Sequence, residues 1–236
     1  MEIRRVKKHD VDMTSGSVFR HLLNFAVPLL MGNIFQQLYN TVDTWVVGNY
    51  VSNEAFSAVG TVAPIINTLI GAFSGLASGA GVVISQYYGA GRHDRVKDAV
   101  HTAVMMTLVL SVAFTAIGIA MTPNMLRLMK TPAEVFPESR AYLNIYFSGM
   151  AGLMLYNMGA GILRAVGDSK RPFYYLVCAA VINTVLDLVF VIAFGMGVEG
   201  VAYATIIAQG ISAFLTMLTL FRSESCVRVD EAYQAS

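Results

Sequence analysis

Two aspartates stand inside long apolar runs: Asp43 in "YNTVDTWVVGNY" and Asp187 in "VINTVLDLVFVIAF". Of the 15 acids in the chain, the other thirteen fall in tails, loops or helix ends. An aspartate near the centre of a membrane helix costs about 2.5–3.5 kcal/mol on insertion scales, so such acids are functional by default. Two carboxylates at one level repel each other unless one is protonated or a cation lies between them. The pair is therefore a candidate switchable site for a proton or a sodium ion. Asn183 lies one helical turn from Asp187, and Thr205 lies in the next apolar run. Both offer neutral oxygens, and hard oxygen ligands suit a hard cation. For Thr205, bonding back to its own helix is an equally open role.

The spacing of neighbouring polar residues extends the site. Asn33, Gln36, Gln37, Asn40, Asp43 and Thr44 recur at intervals of three and four and share one helical face. A stripe this polar faces other helices or water, not lipid. Asn183 with Thr184 and Asp187, and Thr205 with Gln209, form shorter versions. Gln36, Asn40 and Asn157 are candidate cavity-lining residues.

The elements that must carry these residues are membrane helices. The chain has 236 residues, 56% hydrophobic and 13% charged. A soluble domain carries about 25% charged residues, so charge has been removed from most of the chain. Six apolar stretches, near 19–48, 54–88, 99–121, 139–163, 172–195 and 199–221, reach or exceed the roughly 20 residues needed to span a bilayer. The expected fold is an all-α integral membrane bundle. A segment over residues 1–16 precedes the six-helix lobe of 17–222, and 223–236 form a tail. Thirteen of the 16 Lys and Arg residues fall on one side if the N-terminus is inside, placing both termini in the cytoplasm. The N-terminus carries no cleavable signal pattern.

Local signals mark the ends. Gly89, Gly91 and Gly167 are stop signals, Asp94 and either Asp168 or Ser169 are candidate N-caps, and Pro172 suits a first turn. Thr131 to Glu134 reads as a capping box. Pro28 and Pro64 lie within helices and are expected to bend them. Gly71, Gly75 and Gly79 put small residues on one face, where a neighbouring helix can approach closely. Cys178 and Cys226 show no metal-ligand or CxxC spacing.

With the expected orientation, Asp43 lies about 10 Å, Asp187 about 12 Å and Thr205 about 9 Å inside the outer ends of their helices. Three different helices thus bring these groups to one level.

The same residues carry a family resemblance. "FAVPLLMGNIFQQLYNTVDTWVVGNY", "AVGTVAPI", "GLASGAGVVISQYYGAGRHDRVKDA", "ILRAVGDSKRPFYY", "NTVLDLVF" and "GVEGVAYATIIAQ" occur in order over about residues 14–222. This resembles the N-terminal half of the MATE (multidrug and toxic compound extrusion) transporters. The resemblance implies ion-coupled (H⁺ or Na⁺) export of organic cations and other amphipathic compounds across the cell membrane, with no cofactor and no enzymatic step. It places the cation site on Asp43, Asn183, Asp187 and Thr205, which would ligate Na⁺ if that is the coupling ion. Gln36 and Asn157 match positions near the cavity. Members of the family carry twelve helices in two lobes, so the resemblance implies an incomplete chain that needs a second six-helix lobe, either a missing half or a second copy. Membrane lipids and small amphipathic molecules are the other expected partners, and nucleic acid is not one.

Other readings make distinct demands. A lipid-linked precursor flippase usually lines its cavity with basic residues, and no Lys or Arg lies deep in a span here. An intramembrane aspartyl protease needs Y-D and G-x-G-D motifs on neighbouring helices. Asp43 follows Val42, and the "VGD" at 166–168 lies in an inner loop. A non-transporting membrane fragment or half-channel is the remaining alternative.

Overall fold

The computed structural model describes residues 18–222, and the basic N-terminal segment, Cys226 and Arg228 lie outside them. Among the described residues all regular structure is helical. The helices are α1 (Val18–Tyr50), α2 (Asn53–Gly89), α3 (His93–Leu128), α4 (Phe136–Ser148), α5 (Met150–Ala165), α6 (Lys170–Leu188) and α7 (Gly197–Arg222), with a π-helical segment, Val189–Ala193, extending α6. Four stretches are long and apolar enough to cross a membrane by length and composition: α2, α3, α6 with its π extension, and α7. α1 has 33 residues but carries the polar stripe. Large apolar side chains such as Val109, Val112, Tyr174 and Phe214 stand on the outer surface of the bundle. A soluble protein rarely exposes contiguous apolar surface on this scale.

The expected fourth span is two helices. Gly149 separates α4 from α5, and its N–H bonds to Ile145 O at 3.2 Å. A Cβ at Gly149 would lie 2.4 Å from Ile206 Cγ2 of α7, so the junction is pressed against α7 and only glycine fits. The break is a packing feature, invisible in a hydropathy pattern.

Most of the expected helix ends hold. Asp168 Oδ1 accepts from Arg171 N at 3.1 Å, and its Oδ2 lies 3.3 Å from Arg171 Nε. Pro172 follows in the first turn of α6. Asp168→Ala removes both contacts and is expected to cost about 1 kcal/mol, the usual worth of a lost cap; thermal unfolding in detergent checks it. Asp94 differs from expectation. It lies in the first turn of α3, after a helix start at Arg92 that has no side-chain cap. The capping box at Thr131 does not form either. Residues 131–135 make turns closed by Val135 N to Pro132 O at 3.1 Å, and α4 begins one step later with Pro137 in its first turn. Pro28 and Pro64 sit within α1 and α2, which run on as single helices past them.

The small-residue face of α2 is also corrected. Gly71, Gly75 and Gly79 are exposed, with nothing within 4 Å of a Cβ placed on them. The close approach uses another face. A Cβ at Gly161 of α5 would lie 2.9 Å from the backbone oxygen of Ala77, and one at Gly81 would lie 3.4 Å from Gly161 O. Here α2 and α5 touch backbone to backbone.

Two apolar clusters stack along the bundle. One, near the Tyr50 end of α1, joins Val46, Val47, Tyr142, Tyr146, Met150 and Val201. The other joins Ile84, Val96, Val100, Met158, Ile162 and Leu220. The aspartates lie at the level of the first.

Candidate cation site

Asp43 on α1, Asn183 and Asp187 on α6 and Thr205 on α7 are all buried; Asp187 is 0% exposed and Asp43 4%. Helical spacing explains the convergence. Asn183 and Asp187 lie one turn apart on the inward face of α6, and α7 returns antiparallel beside it after a short turn. α1 packs against α6 and brings Asp43 to the same level. Thr205 Oγ1 lies 3.3 Å from Asp43 Oδ2 and 2.9 Å from Val201 O, as a possible donor to each. Asn183 Nδ2 donates to Thr205 Oγ1 at 3.5 Å. The Asp43 and Asp187 carboxyls lie close enough to feel each other's charge.

Such an approach requires a positive charge. A hydrogen bond between two carboxyls needs a proton on one of them, and two bare carboxylates this close repel. Asp43 Oδ1, both Asp187 carboxyl oxygens and Asn183 Oδ1 are buried and receive no hydrogen bond from the protein. Buried polar atoms are almost always satisfied, so these four orphaned oxygens need a partner. A proton satisfies two of them, and a hard monovalent cation can touch more. Among the described residues no group of three or more His, Cys, Asp or Glu side chains gathers, so the donor set is two carboxylates with neutral oxygens.

Thr205 has one proton for two acceptors. When it donates to Val201 O, its lone pairs are free to face a cation between the carboxylates. When it donates to Asp43, the hydroxyl itself stabilises that carboxylate. The back-bonding role left open by the sequence is seen in the 2.9 Å contact to Val201 O. Thr205→Val keeps the shape and removes both contacts. The expected result is about tenfold weaker cation binding, the worth of one hydrogen bond to a charged group, with Thr205→Ser close to wild type in a binding titration.

The sequence missed a ring of tyrosines. Tyr142 of α4 lies near both carboxyls and beside Thr205. Tyr146, one turn on, stacks with Tyr142 at 6.4 Å between ring centroids and accepts from Gln209 Nε2 at 3.5 Å. Tyr39 of α1 lines the same cavity as Gln36 and Gln209. The i, i+4 spacing of Tyr142 and Tyr146 was a usable signal, but tyrosine also serves as ordinary membrane packing.

The polar stripe of α1 divides. Gln36 joins Asn157, Asn183, Thr205 and Gln209 around a closed cavity of about 20 Å³ between α1, α5, α6 and α7, room for about one water. Asn157 Nδ2 also donates to Leu153 O of its own helix at 2.8 Å. Asn40 lines a different cavity of about 140 Å³, shared with Asp43, Thr44, Asn67, Tyr142 and Thr205. Asn40 and Thr44 also edge an open cleft of about 640 Å³ between α1 and α2. Asn33 and Gln37 are exposed. The stripe is broader than one neighbour can cover, because α1 sits at the edge of the bundle.

These features define a multi-pass membrane helix bundle with a buried, oxygen-lined acidic site and a cavity on either side of it. The MatE family model matches residues 28–189, and the chain belongs to that family. It is 35% identical over 204 residues to the probable multidrug resistance protein YpnP of Bacillus subtilis, covering 86% of this chain and 46% of the relative. It is 38% identical over 210 residues to the probable multidrug resistance protein YoeA of the same organism, covering 87% and 45%. The outward-facing structure of a multidrug resistance MATE family transporter of the MOP superfamily superposes with a TM-score of 0.87 at 26% identity, covering 94% of this chain and 49% of that one. The chain spans about half the length of the curated relatives it matches.

Proposed function

We propose that this chain is one lobe of a cation-coupled exporter of amphipathic organic cations in the cell membrane, both termini cytoplasmic, with a second six-helix lobe completing the substrate cavity. The coupling site is Asp43, Asn183, Asp187 and Thr205. The single observation that supports this most is the approach of two buried carboxyls from different helices, with oxygens that receive no hydrogen bond from the protein. A proton or a sodium ion entering there neutralises repulsion between α1 and α6, and its departure restores it. That difference in free energy is what a carrier needs to bias one conformation over another. Asp43 lines the cavity of about 140 Å³ that also touches α2, so the charge change is felt on the α1–α2 side as well.

Size supports the need for a partner lobe. Drug-sized ligands occupy roughly 300–1,000 Å³. Neither closed cavity reaches that, and the larger cleft is open along α1 and α2. A facing lobe closes it. The relatives' names, multidrug resistance proteins, support export of diverse small molecules, and the absence of basic residues lining either closed cavity favours cations over phosphate-bearing lipids.

The test is efflux of a fluorescent organic cation from cells lacking their own pumps, with wild type beside Asp187→Asn at matched membrane levels. Efflux in the wild type and none in the variant is the expected result. Equal efflux in both contradicts the reading.

A further inference from the structure

The first turn of α4 carries acids and hydroxyls that the site above does not use. Glu138 lies there, with Glu54 of the first turn of α2 close enough to repel it. Acids favour helix N-termini through the helix dipole, so their presence alone says little. Their surroundings say more. Glu138 Oε2 is buried and receives no hydrogen bond, although the residue as a whole is only half-buried. One of its two carboxylate oxygens is therefore turned away from the water that would solvate it. The next residue, Ser139, is 0% exposed, and its Oγ is also without a partner. Helical serines normally bond back to their own turn, as Ser148 does to Ile145 O at 2.6 Å. Ser139 does not.

Spacing connects these groups to the cation site. Ser139, Tyr142 and Tyr146 are at i, i+3 and i+7, and all three are buried, so they form one polar stripe on the inward face of α4. Glu138 is four residues before Tyr142, one turn above it. Tyr142 in turn lies beside Asp43 and Asp187. Phe136 to Tyr142 is six residues, about 9 Å of helix, which matches the depth of Asp43 below Tyr50. Glu138, Ser139 and Tyr142 thus place oxygens along α4 between its first turn and the level of the carboxyl pair.

We propose that the start of α4 is the entry route of the coupling cation: Glu138, facing Glu54, gathers the cation at the surface, and Ser139 and Tyr142 pass it to the Asp43–Asp187 pair. This rests on the cation-site reading above. The route places a negative mouth outside and an oxygen-lined step inside, the arrangement that focuses a cation and raises its rate of arrival. Each orphaned oxygen along it gains a partner as the cation passes. Glu138 is here a positioning residue. It speeds arrival and departure alike, and it does not set the final affinity of the pair.

The test is rapid-mixing infrared spectroscopy on the purified chain in lipid, following the carboxyl band after a jump in pH or in sodium. Asp187→Asn identifies which part of the signal belongs to the pair. In Glu138→Gln, which keeps the shape, the relaxation is expected to slow about tenfold with its end point unchanged, and Ser139→Ala is expected to slow it as well. Glu134→Gln, an exposed acid one turn earlier in the chain, leaves the rate at the wild-type value. Equal rates in wild type and Glu138→Gln overturn the route while leaving the site intact. So does a changed end point at an unchanged rate, because Glu138 then tunes the pair without delivering to it. A wild-type signal that Asp187→Asn leaves untouched overturns the cation site itself, and the route with it.

Discussion

Under the proposed function, Asp187→Asn is expected to abolish cation-coupled export while the protein stays folded in the membrane, and Asp43→Asn is expected to do the same. The amide keeps the shape of the carboxyl and removes its charge. A cation about 4 Å from a carboxylate gains roughly 4 kcal/mol at the effective dielectric of protein sites, so losing one charge weakens binding about a thousandfold. The fold does not depend on that charge. Asp187 is 0% exposed and its oxygens receive no hydrogen bond from the protein, so replacing it breaks no donor contact and relieves its repulsion with Asp43. The unfolding temperature is expected to stay level or rise while transport is lost. A matched fall in both would mean that the pair is structural. Efflux and thermal unfolding, measured on the same preparations, separate the two.

Gly161→Leu is expected to have the opposite signature, a loss of fold with no direct change at the site. A Cβ at this position already meets the backbone oxygen of Ala77 at 2.9 Å. Backbone cannot swing aside as a flexible side chain does. Relief requires α2 and α5 to separate, and Met158, Ile162, Ala77 and Ile84 of the adjoining core lose their contacts with them. Overpacking of this kind costs about 1–3 kcal/mol and sometimes more. Gly75→Leu is the matched control: nothing lies within 4 Å of its Cβ position, and the stability of the chain stays at the wild-type level. Thermal unfolding of the two variants in detergent distinguishes them, and equal destabilisation contradicts the packing described here.

The pair of glycine positions shows where sequence and structure part company. Regular spacing every four residues made Gly71, Gly75 and Gly79 conspicuous, yet spacing identifies a face and not what lies against it. Gly161 and Gly149 follow no pattern and are set by three-dimensional contacts with Ala77 and Ile206. The site was more legible. Asp43 and Asp187 stand out because a charge in an apolar run has a large cost, and Asn183 and Thr205 follow from helical spacing and depth. Tyr39, Tyr142 and Tyr146 did not stand out, for the reverse reason, despite the i, i+4 spacing of the last two. Tyrosine is inexpensive in a membrane protein, so its presence carries little information until a carboxyl is found beside it. Helix ends with a rigid chemical cause, such as Asp168 before Pro172, were readable. Those at Asp94 and Thr131 were not, because the chain had alternative turns available.

The central claim is that Asp43 and Asp187 share a positive charge. The most direct measurement is the infrared absorption of the carboxyl groups of the purified chain in lipid, recorded as pH and sodium are varied. The account predicts a band from a buried, protonated carboxyl that disappears as pH rises or as sodium is added, and that is missing throughout in Asp187→Asn. Carboxyl spectra that are the same in wild type and Asp187→Asn under every condition would contradict it.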